Sequence, residues 1–134
     1  MEQRNPVEEL FTDSGPFDQA EIVKVLKPLI SIMRNNRQVF FLIENQRVVD
    51  KILAFALLKK LLFISGQNKE EGSYISAAMV SKNTDLPKGS IDTSFKQLRE
   101  SKYLIGEGKE YEIPNSKIPQ VLERLRNIIK VDAK

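Results

Sequence analysis

The stretch SAAMVSKNTDLPKGSIDTSFKQLRESKYLI, residues 76–105, is the most informative part of this 134-residue chain. Its second half predicts a helix over residues 90–102, because apolar or small side chains recur there at spacings of three and four residues. Ile91, Ser94, Phe95 and Leu98 occupy these positions and are expected to form a buried stripe. The opposite face of this helix is therefore left for solvent or for a partner.

From Tyr74 to Ile113 the chain resembles the winged helix-turn-helix family. Tyr74 and Ile75 resemble the short first strand, and Ser76 resembles the N-cap of a support helix over residues 76–83. Residues 84–86 resemble the turn, where Asp85 stands at a position usually held by glycine and can adopt its left-handed conformation. Residues 104–113 resemble the wing, two short strands around a turn that contains glycine.

The resemblance implies that the exposed face of the second helix enters the major groove of DNA. Thr and Gln side chains can read base edges there, while Lys mainly neutralises phosphate. Asp92 shares this face, and it either accepts a hydrogen bond from a cytosine amino group or opposes close insertion. The implied DNA-binding residues are Lys88, Ser90, Thr93, Lys96 and Gln97, with Arg99 and Lys102 at the backbone and Lys109 on the wing.

The implied function is sequence-specific binding of double-stranded DNA, as in a transcriptional regulator. The alternative is a winged-helix module that contacts another protein, since one fold serves several functions. Residues 73–113 carry 6 basic and 6 acidic side chains, and this balance favours the alternative. A strongly basic patch is the usual electrostatic mark of a DNA-binding surface.

The N-terminal half is predicted to form a flexible arm over residues 1–17, followed by a helical extension over residues 18–65. Apolar spacing predicts a first helix over residues 19–33, which Pro28 should bend or interrupt. The apolar run at residues 39–43 is too short for its periodicity to distinguish a strand from a helical turn.

Residues 47–65 are predicted to form a helix that is apolar around nearly its whole circumference, as expected of a central or shared helix. A membrane span is disfavoured, because Asp50, Lys51, Lys59 and Lys60 interrupt the run before it reaches the ~20 apolar residues that a bilayer requires. We expect a core helix, and a homodimer that uses surplus apolar surface of residues 19–65, the C-terminal helix, or both.

Residues 66–134 complete the predicted fold with the winged helix and a C-terminal helix over residues 117–130. The C-terminal helix has an apolar stripe formed by Ile118, Val121, Leu122, Leu125, Ile128 and Ile129. The expected fold class is α+β and mostly helical: a winged helix-turn-helix with an N-terminal helical extension and a C-terminal helix.

Catalysis is disfavoured by composition, since the chain contains no histidine and no cysteine. Imidazole and thiolate chemistry and Cys or His zinc sites are therefore excluded. The carboxylate pairs Glu70 with Glu71 and Glu110 with Glu112 have no evident metal-ligand partner, and no glycine-rich phosphate loop is present. We expect no enzyme activity, cofactor or metal. No export signal opens the sequence, so a cytoplasmic location is expected.

Overall fold

The computed structural model describes residues 19–44, 46–66 and 72–132, and the predicted arm lies outside them. The described part has an α+β fold, about 58% helical, with five helices and two small antiparallel sheets. The elements are α1 (Gln19–Leu26), β1 (Ile30–Ile32), β2 (Val39–Phe41), α2 (Val48–Ile64), α3 (Ala77–Asn83), α4 (Lys88–Glu100), β3 (Ile105–Glu107), β4 (Glu110–Glu112) and α5 (Ile118–Asp132).

The first helix is shorter than predicted, and the prediction of a helix through residue 33 is wrong. α1 ends at Leu26, because Pro28 has no amide hydrogen and disfavours the helical conformation of the residue before it. The chain then enters β1, which pairs with β2 in the register Ile30↔Phe41 and Ile32↔Val39. The undecided run at residues 39–43 thus contains a strand.

α2 is the central helix of the fold, as predicted. Twelve of its 17 residues are buried, and α1, α4 and α5 pack around it. Leu57, midway along the helix, is fully buried. Within the described ranges, no helix combines the length and the apolar character needed to cross a membrane.

Two buried charges of α2 hold neighbouring elements. The Asp50 Oδ1 atom accepts a hydrogen bond of 2.6 Å from Arg124 Nε on α5. Lys60, only 6% exposed, donates to the carbonyl oxygen of Ile113 and lies 3.5 Å from Glu112 Oε2. Burial lowers the pKa of Lys60, and the negative charge of Glu112 partly opposes that effect. These contacts tie α2 to α5 and to the end of β4.

α3 begins as predicted, with the Ser76 hydroxyl accepting a hydrogen bond from the Met79 amide at 3.1 Å. The turn that follows differs from the expectation. Arg37 and Lys102 are the non-glycine residues with positive φ in the described chain, so Asp85 is not left-handed. Instead, the Thr84 hydroxyl donates to the Val80 carbonyl and accepts from the Leu86 amide, which closes the turn without a left-handed residue.

α4 begins and ends two residues earlier than predicted. Pro87, whose φ is restricted to helix-compatible values, precedes it, and its four predicted stripe residues are all buried. Its end is a Schellman motif, in which Lys102 is left-handed and the Tyr103 amide donates to the Leu98 carbonyl. The predicted C-terminal helix is confirmed as α5, with Ile118, Val121, Leu122 and Leu125 buried.

Candidate nucleic-acid interface

The exposed face of α4 is held in place by the buried stripe, which packs the helix against α2 and α3. Among the residues implied by the resemblance, Ser90 is half-buried. The side chains of Lys88, Thr93, Lys96, Gln97, Arg99, Lys102 and Lys109 are exposed. All eight are therefore accessible to a ligand, but the structure divides them into groups with different surroundings.

The first group lines a cleft of about 860 Å³ between α3, α4 and the β3–β4 hairpin. Lys88 and Arg99 reach it from α4, and Lys109 reaches it from the hairpin. The carboxylates of Asp92 and Glu110 line the same cleft. This surface therefore has an excess of positive charge, although it is not purely basic.

Arg99 is oriented by the hairpin rather than free in solvent. Its guanidinium carbon lies 5.4 Å from the centre of the Tyr111 ring, and its Nη1 atom donates to the Tyr111 hydroxyl at 3.3 Å. That hydroxyl donates in turn to the Gly108 carbonyl at 2.9 Å. The Tyr111 ring also contacts Phe95 of α4, with ring centres 5.9 Å apart. This chain of contacts fixes the hairpin relative to α4.

The hairpin depends on two glycines and is less acidic at its tip than the sequence indicates. A Cβ atom on Gly106 would overlap the backbone of Glu110, and Gly108 has a φ of +65°. Glu112 points away from the tip, because its Oε2 accepts a 2.6 Å hydrogen bond from Ser73 and lies beside Lys60. Of the three glutamates in the predicted wing, only Glu107 and Glu110 remain exposed with Lys109.

The second group lies on the other side of α4. Ser90, Thr93 and Gln97 line a shallow groove of about 330 Å³ that also includes Arg47, the residue before α2. The Thr93 hydroxyl donates to the Gly89 carbonyl at 3.0 Å and keeps its acceptor capacity. Hydroxyl and amide groups dominate this side, and such groups can contact base edges as well as phosphates.

Lys96 and Lys102 line neither the cleft nor the groove. Lys96 projects from the exposed face of α4 between the two groups, as its position on the helix requires. Lys102 is in the turn after α4, where its backbone is left-handed. The structure therefore brings together three cations and, separately, three neutral side chains.

Sequence reasoning missed two basic residues of this surface, Lys82 and Arg47. Lys82 lines the cleft from the last turn of α3, and Arg47 lines the groove. Each is adjacent to a helix end, but only tertiary packing brings it beside α4. A wider search for basic residues at the ends of the flanking helices could have found both.

No family model, curated protein or solved structure matches the chain. Among the described residues, no group of three acidic, His or Cys side chains could hold a metal ion. The surface offers cations, hydroxyls and an amide on a rigid helix. Such groups recognise phosphates and polar edges.

Proposed function

We propose that this protein binds double-stranded DNA as a winged-helix transcriptional regulator, with α4 in the major groove. One observation carries the proposal: cations from three elements line a single cleft on the exposed side of α4. They are Lys82 of α3, Lys88 and Arg99 of α4, and Lys109 of the hairpin. A B-DNA major groove, roughly 12 Å wide, admits an α-helix, and cations beside that helix then lie near the phosphates along the edge of the groove.

The order of elements supports the winged-helix part of the proposal. α3 and α4 are joined by a tight turn, and the β3–β4 hairpin follows α4 directly. Ile75, just before α3, pairs with Tyr111 of β4 through reciprocal backbone hydrogen bonds of 2.7 and 2.8 Å. A short strand before the support helix would pair with the wing in this way.

The two sides of α4 are proposed to contact different parts of the DNA. Lys88, Arg99 and Lys109, together with Lys96 and Lys102, neutralise phosphates and set affinity. Ser90, Thr93 and Gln97 contact base edges and set sequence preference. Asp92 then faces either a cytosine amino group or a phosphate, which it would repel.

We also propose a homodimer, since paired helix-turn-helix units read two half-sites about one DNA turn apart. α2 has little apolar surface left for it, but the outer face of the β1–β2 sheet exposes Met33, Phe40 and Leu42. Sedimentation equilibrium at tens of micromolar should give a dimer, and Phe40→Glu should shift it to monomer. A wild-type protein that stays monomeric contradicts the dimer.

Fluorescence anisotropy titrations with genomic and random duplexes, each at two salt concentrations, test DNA binding directly. If each protomer neutralises about three phosphates, the dimer should show a log-log salt slope near −5, at about 0.9 per phosphate. Lys96→Ala should weaken all duplexes alike and flatten the slope. Gln97→Ala should cost ~1 to 3 kcal/mol on the preferred site only.

The alternative, a protein-interaction module, is favoured by the carboxylates of Asp92 and Glu110 within the cleft. Asp92→Asn separates the two functions, because removing this negative charge should raise non-specific DNA affinity only if the face meets phosphates. If neither Lys96→Ala nor Asp92→Asn changes retention on DNA at low salt, the DNA-binding proposal fails. The interaction module then becomes the better description.

A further inference from the structure

A second concave site lies between the β1–β2 hairpin, α2 and α3. Its volume is about 420 Å³, within the range of roughly 300 to 1,000 Å³ that is usual for small-molecule sites. It shares α3 with the proposed DNA interface, since Ala78 and Lys82 line both clefts. Its other walls take no part in that interface.

The inner surface of this cleft is apolar. Phe55, Leu58 and Leu62 of α2 form one wall, Ile32 and Val39 of the sheet form another, and Met79 of α3 completes it. Each of these side chains is buried or half-buried. The thioether of Met79 adapts readily to differently shaped apolar groups, so the surface suits the apolar body of a ligand.

The charged groups of the cleft all have the same sign. Arg37 and Lys82 are exposed at its edge, Lys59 lies in the α2 wall, and no carboxylate lines it among the described residues. Arg37 and Lys82 form no ion pair within the part of the chain that the structure describes. A ligand with an apolar body and one negative charge would match both features.

Arg37 is also in an unusual backbone conformation, with a φ of +59°. Its amide donates to the Met33 carbonyl at 3.0 Å, and the Asn36 side chain accepts from the Gln38 amide at 2.9 Å. A left-handed conformation costs a non-glycine residue roughly 1–2 kcal/mol, and glycine or asparagine would adopt it more readily. The geometry of the turn therefore does not explain why an arginine occupies this position.

We propose that this cleft binds a small organic carboxylate whose apolar body lies against Phe55, Leu58 and Met79 and whose carboxylate contacts Arg37 and Lys82. Charge-assisted hydrogen bonds from the two cations provide the selectivity for an anion. Binding here requires no DNA, so the proposal stands or fails independently of the proposed function.

The test uses the full chain labelled with ¹³C in its methionine methyl groups and titrated with octanoate. The chain has three methionines, and Met79 lines the cleft whereas Met33 does not. The Met79 resonance, assigned with Met79→Leu, should shift saturably with octanoate. Octanol should bind more weakly, and octylamine, whose charge is positive, should not bind. Equal affinity for octanoate and octanol, or an unmoved Met79 resonance, overturns the proposal.

Arg37→Gly is the decisive variant, because glycine accepts the left-handed conformation and so keeps the turn while removing the guanidinium. Arg37→Gly and Lys82→Ser should each weaken octanoate binding about threefold to fivefold, the range of a partly exposed ion pair. Arg34→Ser, on the same loop but outside the cleft, is the matched control and should bind normally. Unchanged affinity in both cleft variants contradicts the assigned carboxylate site.

Discussion

α2 and α4 pack against each other, yet their sequences give them opposite roles. α2 is apolar around nearly its whole circumference and buries 12 of its 17 residues, with three other helices packed around it. α4 buries only four of its 13 residues, which form one stripe, and leaves the rest of its surface accessible. The difference shows how one helix type serves either as the centre of a core or as a rigid support for exposed groups.

The charged residues of the two helices differ in the same way. Asp50 and Lys60 of α2 are buried, and each has a partner because an unpaired buried charge is very costly. Lys88, Asp92 and Lys96 of α4 are exposed and need no partner to be stable. Substitutions in α2 should therefore change stability, whereas those on the outer face of α4 should change binding.

The largest expected effect is that of Leu57→Ala at the centre of α2. Leu57 is fully buried, so its truncation leaves a cavity and should lower the free energy of unfolding by about 2–5 kcal/mol. Lys96→Ala on the exposed face of α4 should stay within about 0.5 kcal/mol. Urea unfolding followed by circular dichroism measures both. A loss for Leu57→Ala as small as that for Lys96→Ala contradicts the central role of α2.

Asp50→Ala should have the next largest effect, about 1–3 kcal/mol, because it removes the partner of a partly buried arginine. The Asp50 side chain is 8% exposed and that of Arg124 is 30% exposed. Glu21→Ala is the matched control, since Glu21 pairs with Arg126 where both side chains are more than a third exposed. It should cost less than about 1 kcal/mol. Equal losses in thermal melts would show that burial does not separate the two pairs.

Lys60 should make stability depend on pH. Burial lowers its pKa in the folded state, so between that lowered pKa and the unfolded value of about 10.5 the unfolded chain binds more protons. The free energy of unfolding should therefore gain a contribution that rises with pH, by at most about 1.4 kcal/mol per pH unit, once folded Lys60 loses its proton. This contribution is lost again as the pH falls through the folded pKa.

Two variants measured by urea unfolding across alkaline pH test this dependence. Lys60→Met should remove the rise, because no titrating group remains at that position. Glu112→Gln should make it begin at a lower pH, since Glu112 raises the pKa of Lys60. If the rise with pH persists unchanged in Lys60→Met, another titrating group causes it.

A small loss of stability, about 0.5–1 kcal/mol, is expected for Tyr111→Phe, because the lost hydrogen bonds are exposed. Tyr111→Phe should weaken duplex binding more than this small loss of stability would explain, since Arg99 loses the hydroxyl that orients it. Tyr103→Phe is the control, because Lys117 and Arg124 lie over the Tyr103 ring, whereas Arg99 lies over the ring of Tyr111. Equal duplex affinities for the two variants would show that orientation of Arg99 by the Tyr111 hydroxyl does not contribute to DNA binding.

Local patterns predicted much of this fold. The apolar circumference of α2, the buried stripe of α4 and the stripe of α5 each follow from helical periodicity over more than ten residues. The Ser76 cap and the hairpin after α4 follow from local chemistry. Prediction failed at β1 and left β2 undecided, because each strand has only three residues and no glycine-containing turn lies between them to indicate a hairpin.

The sequence by itself determined which helices form and which face of each is buried, because these depend on neighbours three or four residues away. Only the tertiary structure decided what each surface meets. It paired β1 with β2, turned Glu112 toward Lys60, and placed Lys82 and Arg47 beside α4. It also divided six of the eight predicted DNA-binding residues between the cleft and the groove. Contacts between residues far apart in the chain depend on how whole elements pack, which no local pattern contains.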